Sequence, residues 1–257
     1  MKVEILGCSG GMGLGQQTTC YRINDTLLLD AGSGLGNLSQ KELLKIDTIF
    51  LTHSHLDHIC FLPLLIDNLY EFIEKPIQVY ALPEVIETLQ QHIFNWAVWP
   101  DFSTLPTPEN PVVQFNPVHT WEAITLNQLT LTPFPVEHTV PTCGYQIQSA
   151  QGQCLAFTGD TTLSSAVIDS LNLLDPLDVL ITECAFPDRL LDLSRVSKHL
   201  TPQLISQLLQ ELDTPPKQLW LSHLKPSQQA EIRQELSQLQ LGNTQLTLLE
   251  PCTQFEL

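Results

Sequence analysis

The chain has 257 residues, 43% hydrophobic and 15% charged, enough apolar material for a packed core and too much for a disordered chain. Its 28 acidic side chains outnumber 11 basic ones, giving a net charge of -17, so its surface repels nucleic acid and offers a polyanion no footprint. Seven scattered cysteines (8, 20, 60, 143, 154, 184, 252) form no CxxC pair, and with neither a signal pattern nor a bilayer-length apolar run they point to reduced thiols in a cytoplasmic protein.

From the amino end, 2–6 reads as a strand, followed by Gly7-Cys8-Ser9-Gly10-Gly11-Met12-Gly13-Leu14-Gly15. Neither this run nor Gly32-Ser33-Gly34-Leu35-Gly36 fits a dinucleotide or P-loop pattern. Two readings stand: a loop of special backbone geometry, or backbone N–H groups near Ser9-Gly10-Gly11 lining the rim of a site. Strand patterns continue at 18–23 and 26–30, with Asn24-Asp25 as the hairpin turn. Asp30 ends the second and is expected to hydrogen-bond to the loop backbone. A short helix at 39–44 leads to a strand at 47–52, which ends in Thr52-His53-Ser54-His55-Leu56-Asp57-His58.

Three imidazoles and a carboxylate within six positions offer ligands for a first-row metal at a strand end. His53 and His55, two apart in extended chain, face one way. Asp57 and His58 follow a turn and address a second position. Four ligands rarely fill two metal sites, so more His and Asp are required later in the chain.

Residues 59–65 read as a buried helix, 77–81 as a strand, and Pro83 to about Asn95 as a helix. The aromatic stretch that follows holds Phe94, Trp96, Trp99 and Phe102, ahead of prolines 106, 108 and 111. Either it packs into the core, or it forms a lid over about 92–111 whose Trp96, Trp99 and Phe102 stack on a flat ligand. Strands recur at 112–115, 123–126, 129–135, 144–149, 153–158, 178–182 and 218–222, with a helix near 164–170. Thr201 as N-cap and Pro202 at the first helical position open another helix. Its Leu204, Ile205, Leu208, Leu209 and Leu212 share one face. A last amphipathic helix carries Ile232, Leu236 and Leu239. No repeat or linker divides the chain, so one domain over 1–257 is expected, two packed sheets with helices outside.

The required ligands are present. His138, Asp160 and His223 each lie at or just beyond the end of a strand-like run, and strand ends aimed at one edge would pool all seven. His92 and His119 are left as structural.

This HxHxDH run, followed by His, Asp and His at strand ends, resembles the metallo-β-lactamase-fold hydrolases. The resemblance implies an α/β chain folded as an αββα sandwich with a dinuclear site on its edge. Over nearly the whole chain, Leu6-Gly7-Cys8-Ser9-Gly10-Gly11, the 52–59 run, the 92–102 segment, His138-Thr139-Val140-Pro141, Phe157-Thr158-Gly159-Asp160-Thr161-Thr162, Lys198-His199-Leu200 and Leu221-Ser222-His223-Leu224-Lys225-Pro226 are similar to bacterial class II 3′,5′-cyclic-nucleotide phosphodiesterases.

That resemblance implies one divalent ion on His53, His55 and His138 and a second on Asp57, His58 and His223, with Asp160 bridging. Zinc is the expected metal, with manganese or iron as alternatives. It implies hydrolysis of cAMP or cGMP to the 5′-nucleotide by a hydroxide shared between the ions and oriented by Asp57. His199 would protonate the departing 3′ oxygen. Glu183 either orients His199 or is a buried structural carboxylate. The expected partner is a small cyclic nucleotide, with no nucleic acid or membrane, and related enzymes are often homodimers. The alternatives are a tRNA 3′-end endonuclease, against which the charge of -17 weighs, another ester hydrolase of the same fold, and a metal-binding module without turnover.

Overall fold

The computed structural model describes residues 1–257. Two seven-stranded sheets form its centre. The first runs, in spatial order, Thr253–Glu256, Lys2–Gly7, Cys20–Ile23, Leu27–Leu29, Thr48–Phe50, Ile77–Ala81 and Val113–Pro117. The second runs Gln245–Leu248, Gln218–Ser222, Val179–Glu183, Cys154–Phe157, Cys143–Ser149, Leu129–Pro135 and Ile124–Leu126. Strand periodicity sorts the side chains between faces. Ile23, Leu27, Leu29 and Phe50 meet Tyr145, Phe157, Ile181 and Trp220 between the sheets. Leu28 and Ile49 point the other way, onto the helix Leu62–Leu69 through Leu65 and Ile66.

On the outer face of the second sheet, Leu180, Leu219 and Leu221 pack on Leu204, Ile205, Leu208 and Leu209 of the helix Pro202–Glu211. The Oγ1 of Thr201 accepts from the Leu204 N–H at 3.4 Å and Pro202 opens the helix, as its sequence requires. Burying each of those four leucine and isoleucine side chains stabilises the layer by about 1.5–3 kcal/mol. Three apolar layers thus separate four structural ones, which is the αββα sandwich.

Register brings the functional strand ends together. Leu29 pairs with Phe50 and Phe50 with Tyr80 in parallel. In the second sheet Phe157 pairs with Ile181, Ile181 with Trp220, and Glu183 with Ser222. The sheets are tied at that edge by the Cys143 N–H on the Thr52 carbonyl (3.1 Å) and the Tyr145 hydroxyl on the Leu51 carbonyl (2.9 Å).

Some expectations need revision. The single helix expected at 59–65 is two, Leu56–Ile59 and Leu62–Leu69. The helix Leu191–Ser197 and the strands Gln245–Leu248 and Thr253–Glu256 were not anticipated. Those two strands pair at sheet edges, where exposed positions dilute the apolar alternation.

The larger correction concerns the aromatic stretch. The helix Pro83–His92 starts beyond Ala81, at the histidine edge, and runs back about 15 Å, so residues 93–112 lie at the opposite edge of the sheet. There the Ile77 N–H donates to the Val112 carbonyl at 2.9 Å. Phe102 is 3% exposed and packs against Phe94 and Tyr70, and Trp99 lies against the same core. Trp96 is exposed, and its N–H donates to the Trp99 carbonyl at 2.9 Å. The segment is a cap on the first core, not a lid over the histidines, so Trp96, Trp99 and Phe102 are misplaced as substrate contacts.

Candidate metal centre

The strand Thr48–Phe50 delivers Thr52 and His53, and His55 is the N-cap of the one-turn helix that carries Asp57 and His58. His138 follows Leu129–Pro135, Asp160 follows Cys154–Phe157, and His223 follows Gln218–Ser222. The structure brings all seven together around Asp160. Potential ligand atoms of His53, His55, His138 and Asp160 lie within 4.8 Å of one another, as do those of Asp57, His58, Asp160 and His223. Asp160 divides its oxygens between the groups. Oδ2 is 3.8 Å from Nε2 of His53 and 3.9 Å from Nε2 of His138. Oδ1 is 3.3 Å from Nε2 of His58 and 3.3 Å from Nδ1 of His223.

The outer nitrogens determine which atoms face inward. Thr52 Oγ1 lies 2.9 Å from Oδ2 of Asp30 and 2.9 Å from Nδ1 of His53. A carboxylate only accepts, so the hydroxyl gives its one proton to Asp30 and accepts from His53 Nδ1–H. His58 Nδ1–H donates to Asp30 Oδ2 at 2.7 Å, and His138 Nδ1–H to the Lys198 carbonyl at 3.0 Å. Each of the three rings therefore commits Nδ1 outward and turns Nε2 to the centre, leaving that atom available to a metal. Asp30, expected only to brace the loop, does so through the Thr52 N–H (2.7 Å) but also holds the His58 ring directly and the His53 ring through Thr52.

These contacts depend on unusual backbone. Asp30, Lys198 and His223 adopt left-handed φ of 57°, 53° and 59°, costing on the order of 1 kcal/mol each. At Lys198 this conformation ends the helix Leu191–Ser197, and the residue's carbonyl meets His138. Gly159, with φ of 63°, lets the chain pass where a Cβ would lie 2.9 Å from Cβ of Thr52.

The donor set fits divalent cations. Nε2 of His53 and of His58 and both ring nitrogens of His223 are buried without a hydrogen-bond partner, an arrangement that costs stability unless something binds there. Two ligands on one tetrahedral zinc stand about 3.4 Å apart, comparable with the 3.3–3.9 Å spacing around Asp160. Burial drives the His223 imidazole down to about 3 and that of His138 to about 4, and depresses His53 and His55 too. Burial also disfavours charge on His58, but the Asp160 and Asp30 carboxylates outweigh it and hold that ring well above its usual value. Asp160 is buried as well, yet His223 and His58 keep its carboxyl well below the usual range.

Beside this set stands a second pair. His199 Nδ1–H donates to Oε1 of Glu183 at 2.6 Å, and Glu183 accepts N–H groups of Thr161 (3.0 Å), Ala185 (3.2 Å) and Leu200 (3.2 Å). The His199 ring centroid is 5.0 Å from that of His138 and 5.4 Å from that of His223. Burial works against an imidazolium here, but Glu183 prevails and the His199 pKa is raised. His92 and His119 are exposed, outside these groups.

An αββα sandwich whose strand ends pool imidazoles and carboxylates around one aspartate defines a metallo-hydrolase class of protein. The chain belongs to the β-lactamase superfamily: the model of the beta-lactamase superfamily domain matches residues 25–224, and the fold is the metallo-β-lactamase fold. It is 27% identical to a probable 3′,5′-cyclic-nucleotide phosphodiesterase of Yersinia pestis over 94% of this chain and 84% of that protein. Yeast PDE1 superposes with a TM-score of 0.79 at 19% identity over 97% of this chain and 98% of that one. The short form of human tRNase Z does so with 0.71 at 20% identity, over 100% and 99%. No helix is long and apolar enough to cross a membrane.

Proposed function

We propose that the chain hydrolyses 3′,5′-cyclic nucleotides to 5′-nucleotides at a dinuclear centre, with His53, His55 and His138 holding one divalent ion, Asp57, His58 and His223 the other, and Asp160 shared. Zinc best suits this His/Asp set, and manganese and iron are accepted by the same donors. When bound, such ions make water a nucleophile near neutral pH and offset charge on the phosphoryl oxygens.

The chain's own groups supply orientation and a proton. Asp57 is the most open of the clustered carboxylates, 27% exposed and 3.7 Å from His223 Nε2. Burial disfavours its charge, but His58 and His223 more than compensate and its pKa is lowered. As an ionised acceptor it orients the attacking water. His199, held through Nδ1 by Glu183 and with its pKa raised, keeps a proton on its other nitrogen for the departing 3′ oxygen. The His199–Glu183 pair beside Asp160 carries this reading, because an alkoxide needs an acid and a ligand cluster alone supplies none. The identity to the Yersinia protein supports the substrate class.

Metal-loaded protein incubated with cAMP and with cGMP is expected to release 5′-monophosphates. No turnover with zinc, manganese or iron loading would overturn the proposal. A second reading, cleavage of a phosphodiester in RNA, is favoured by the likeness to human tRNase Z, while the charge of -17 weighs against it. Binding of precursor tRNA that weakens steeply with salt would favour it.

A further inference from the structure

Eleven cations serve a chain of net charge -17. Four of them, Lys41, Lys75, Arg195 and Lys225, form no ion pair with a carboxylate within 4.0 Å. Three of the four are exposed; Lys225 is half-buried, two residues beyond His223. A half-buried ammonium without a counter-ion is costly to keep, and this one is fixed in place. Its Nζ donates to the Gly10 carbonyl at 2.8 Å, its N–H to the Ala185 carbonyl at 3.3 Å, and its own carbonyl accepts from Gln228 at 2.8 Å.

Gly10 sets where that ammonium stands. The residue is pressed onto His223: a Cβ would lie 2.4 Å from the His223 carbonyl oxygen and 2.8 Å from Cδ2 of its ring. The Gly10 N–H donates to Leu224 (3.1 Å) and the His223 N–H to Cys8 (2.7 Å). The glycine loop and the His223 turn are thereby locked, and the Gly10 carbonyl holds the lysine beside a residue of the site. One of three ammonium protons is taken by Gly10, which leaves two donors.

We infer that Lys225 is an anion contact of this site, its ammonium seated on the Gly10 carbonyl and donating to a non-bridging oxygen of the phosphoryl group bound at the His/Asp cluster. The choice of ligand rests on the phosphodiesterase reading. A phosphodiester carries one negative charge and the monoester product nearly two near neutral pH, and the pocket around them is rich in carboxylates. A cation outside the ligand set offsets the added charge and holds the phosphoryl group in one orientation. Because the side chain is ordered by Gly10, little rotamer entropy remains to be lost on binding.

The test uses metal-loaded protein and inorganic phosphate, titrated calorimetrically. Lys225→Gln keeps an N–H donor for Gly10 and removes the charge, whereas Lys225→Arg keeps both. Lys225→Gln is expected to weaken phosphate binding by about tenfold or more, the scale of one charge-assisted hydrogen bond, with metal content and melting temperature unchanged. Lys225→Arg and the remote Lys217→Gln bind phosphate like wild type. Should Lys225→Gln fail to fold, acetylation of wild-type protein followed by mass spectrometry gives the answer: phosphate protects Lys225 and leaves Lys217 reactive. Phosphate affinity unchanged in a folded, metal-replete Lys225→Gln, or no protection of Lys225, overturns the inference. Absent cyclic-nucleotide turnover alongside Lys225-dependent phosphate binding would sink the phosphodiesterase reading and leave this one standing.

Discussion

Nδ1 of His199 lies 2.6 Å from Oε1 of Glu183, and both side chains are buried. A histidine anchored this way has one nitrogen committed and one free, and Glu183 raises its pKa against the opposing effect of burial. In the proposed reaction this pair supplies the proton. His199→Ala is expected to lower kcat on cAMP by about 10²–10⁴-fold, the range for a lost general acid, with metal content unchanged by elemental analysis. On bis(p-nitrophenyl) phosphate, whose leaving group needs no proton, the loss should be much smaller. Equal losses on both substrates would assign His199 a structural role.

The same pair governs pH dependence. Since the folded pKa of His199 lies above the ordinary imidazole value of about 6.5, the acid form persists past that point and is lost as pH rises through the raised value. The kcat profile on cAMP should therefore fall on the alkaline side, and that limb should vanish in His199→Ala. A wild-type profile without an alkaline limb, or one whose limb persists in His199→Ala, would contradict this assignment.

Asp30 accepts from His58, from the Thr52 hydroxyl and from the Thr52 N–H. Asp30→Ala leaves a buried N–H and hydroxyl without their acceptor, which costs about 1–3 kcal/mol per group. It also frees the His53 and His58 rings to turn. Metal affinity measured against a competing chelator should drop by about 10–100-fold, and the melting temperature should fall with it. Wild-type affinity in Asp30→Ala would show that orientation from outside the ligand set does not matter here.

The aromatic stretch gives a contrast. Phe102 is buried against Phe94 and Tyr70, so Phe102→Ala should cost about 3–5 kcal/mol of stability in a denaturant melt. Trp96→Ala, at an exposed position tied by its N–H to the Trp99 carbonyl, should leave KM for cAMP as it is. A large rise in KM in Trp96→Ala would reinstate the lid.

The gathering of these seven side chains was legible because each marks the end of an apolar run. His53, His55, Asp57 and His58 are local in sequence, and parallel register carries Asp160 and His223 to the same edge. What orients them was not. The Lys198 carbonyl that holds His138 is backbone, and it is aimed by a left-handed residue that no side-chain pattern marks. Asp30 was expected to brace the loop, and its bond to His58 spans 28 positions and exists only once two sheet strands pair. The aromatic residues misled because composition says that Phe94, Trp96, Trp99 and Phe102 cluster but not at which end of the sheet; that depends on the length and return direction of the helix Pro83–His92.

Central to the proposal is that Asp160, which stands between two groups of imidazoles, would serve cations on both sides. An anomalous difference map from crystals grown with manganese, or with zinc at its absorption edge, tests it most directly. Two peaks are expected, one beside Oδ2 of Asp160 among His53, His55 and His138, the other beside Oδ1 among Asp57, His58 and His223. Peaks only at other residues, or an empty cluster in protein that retains activity, would contradict the account.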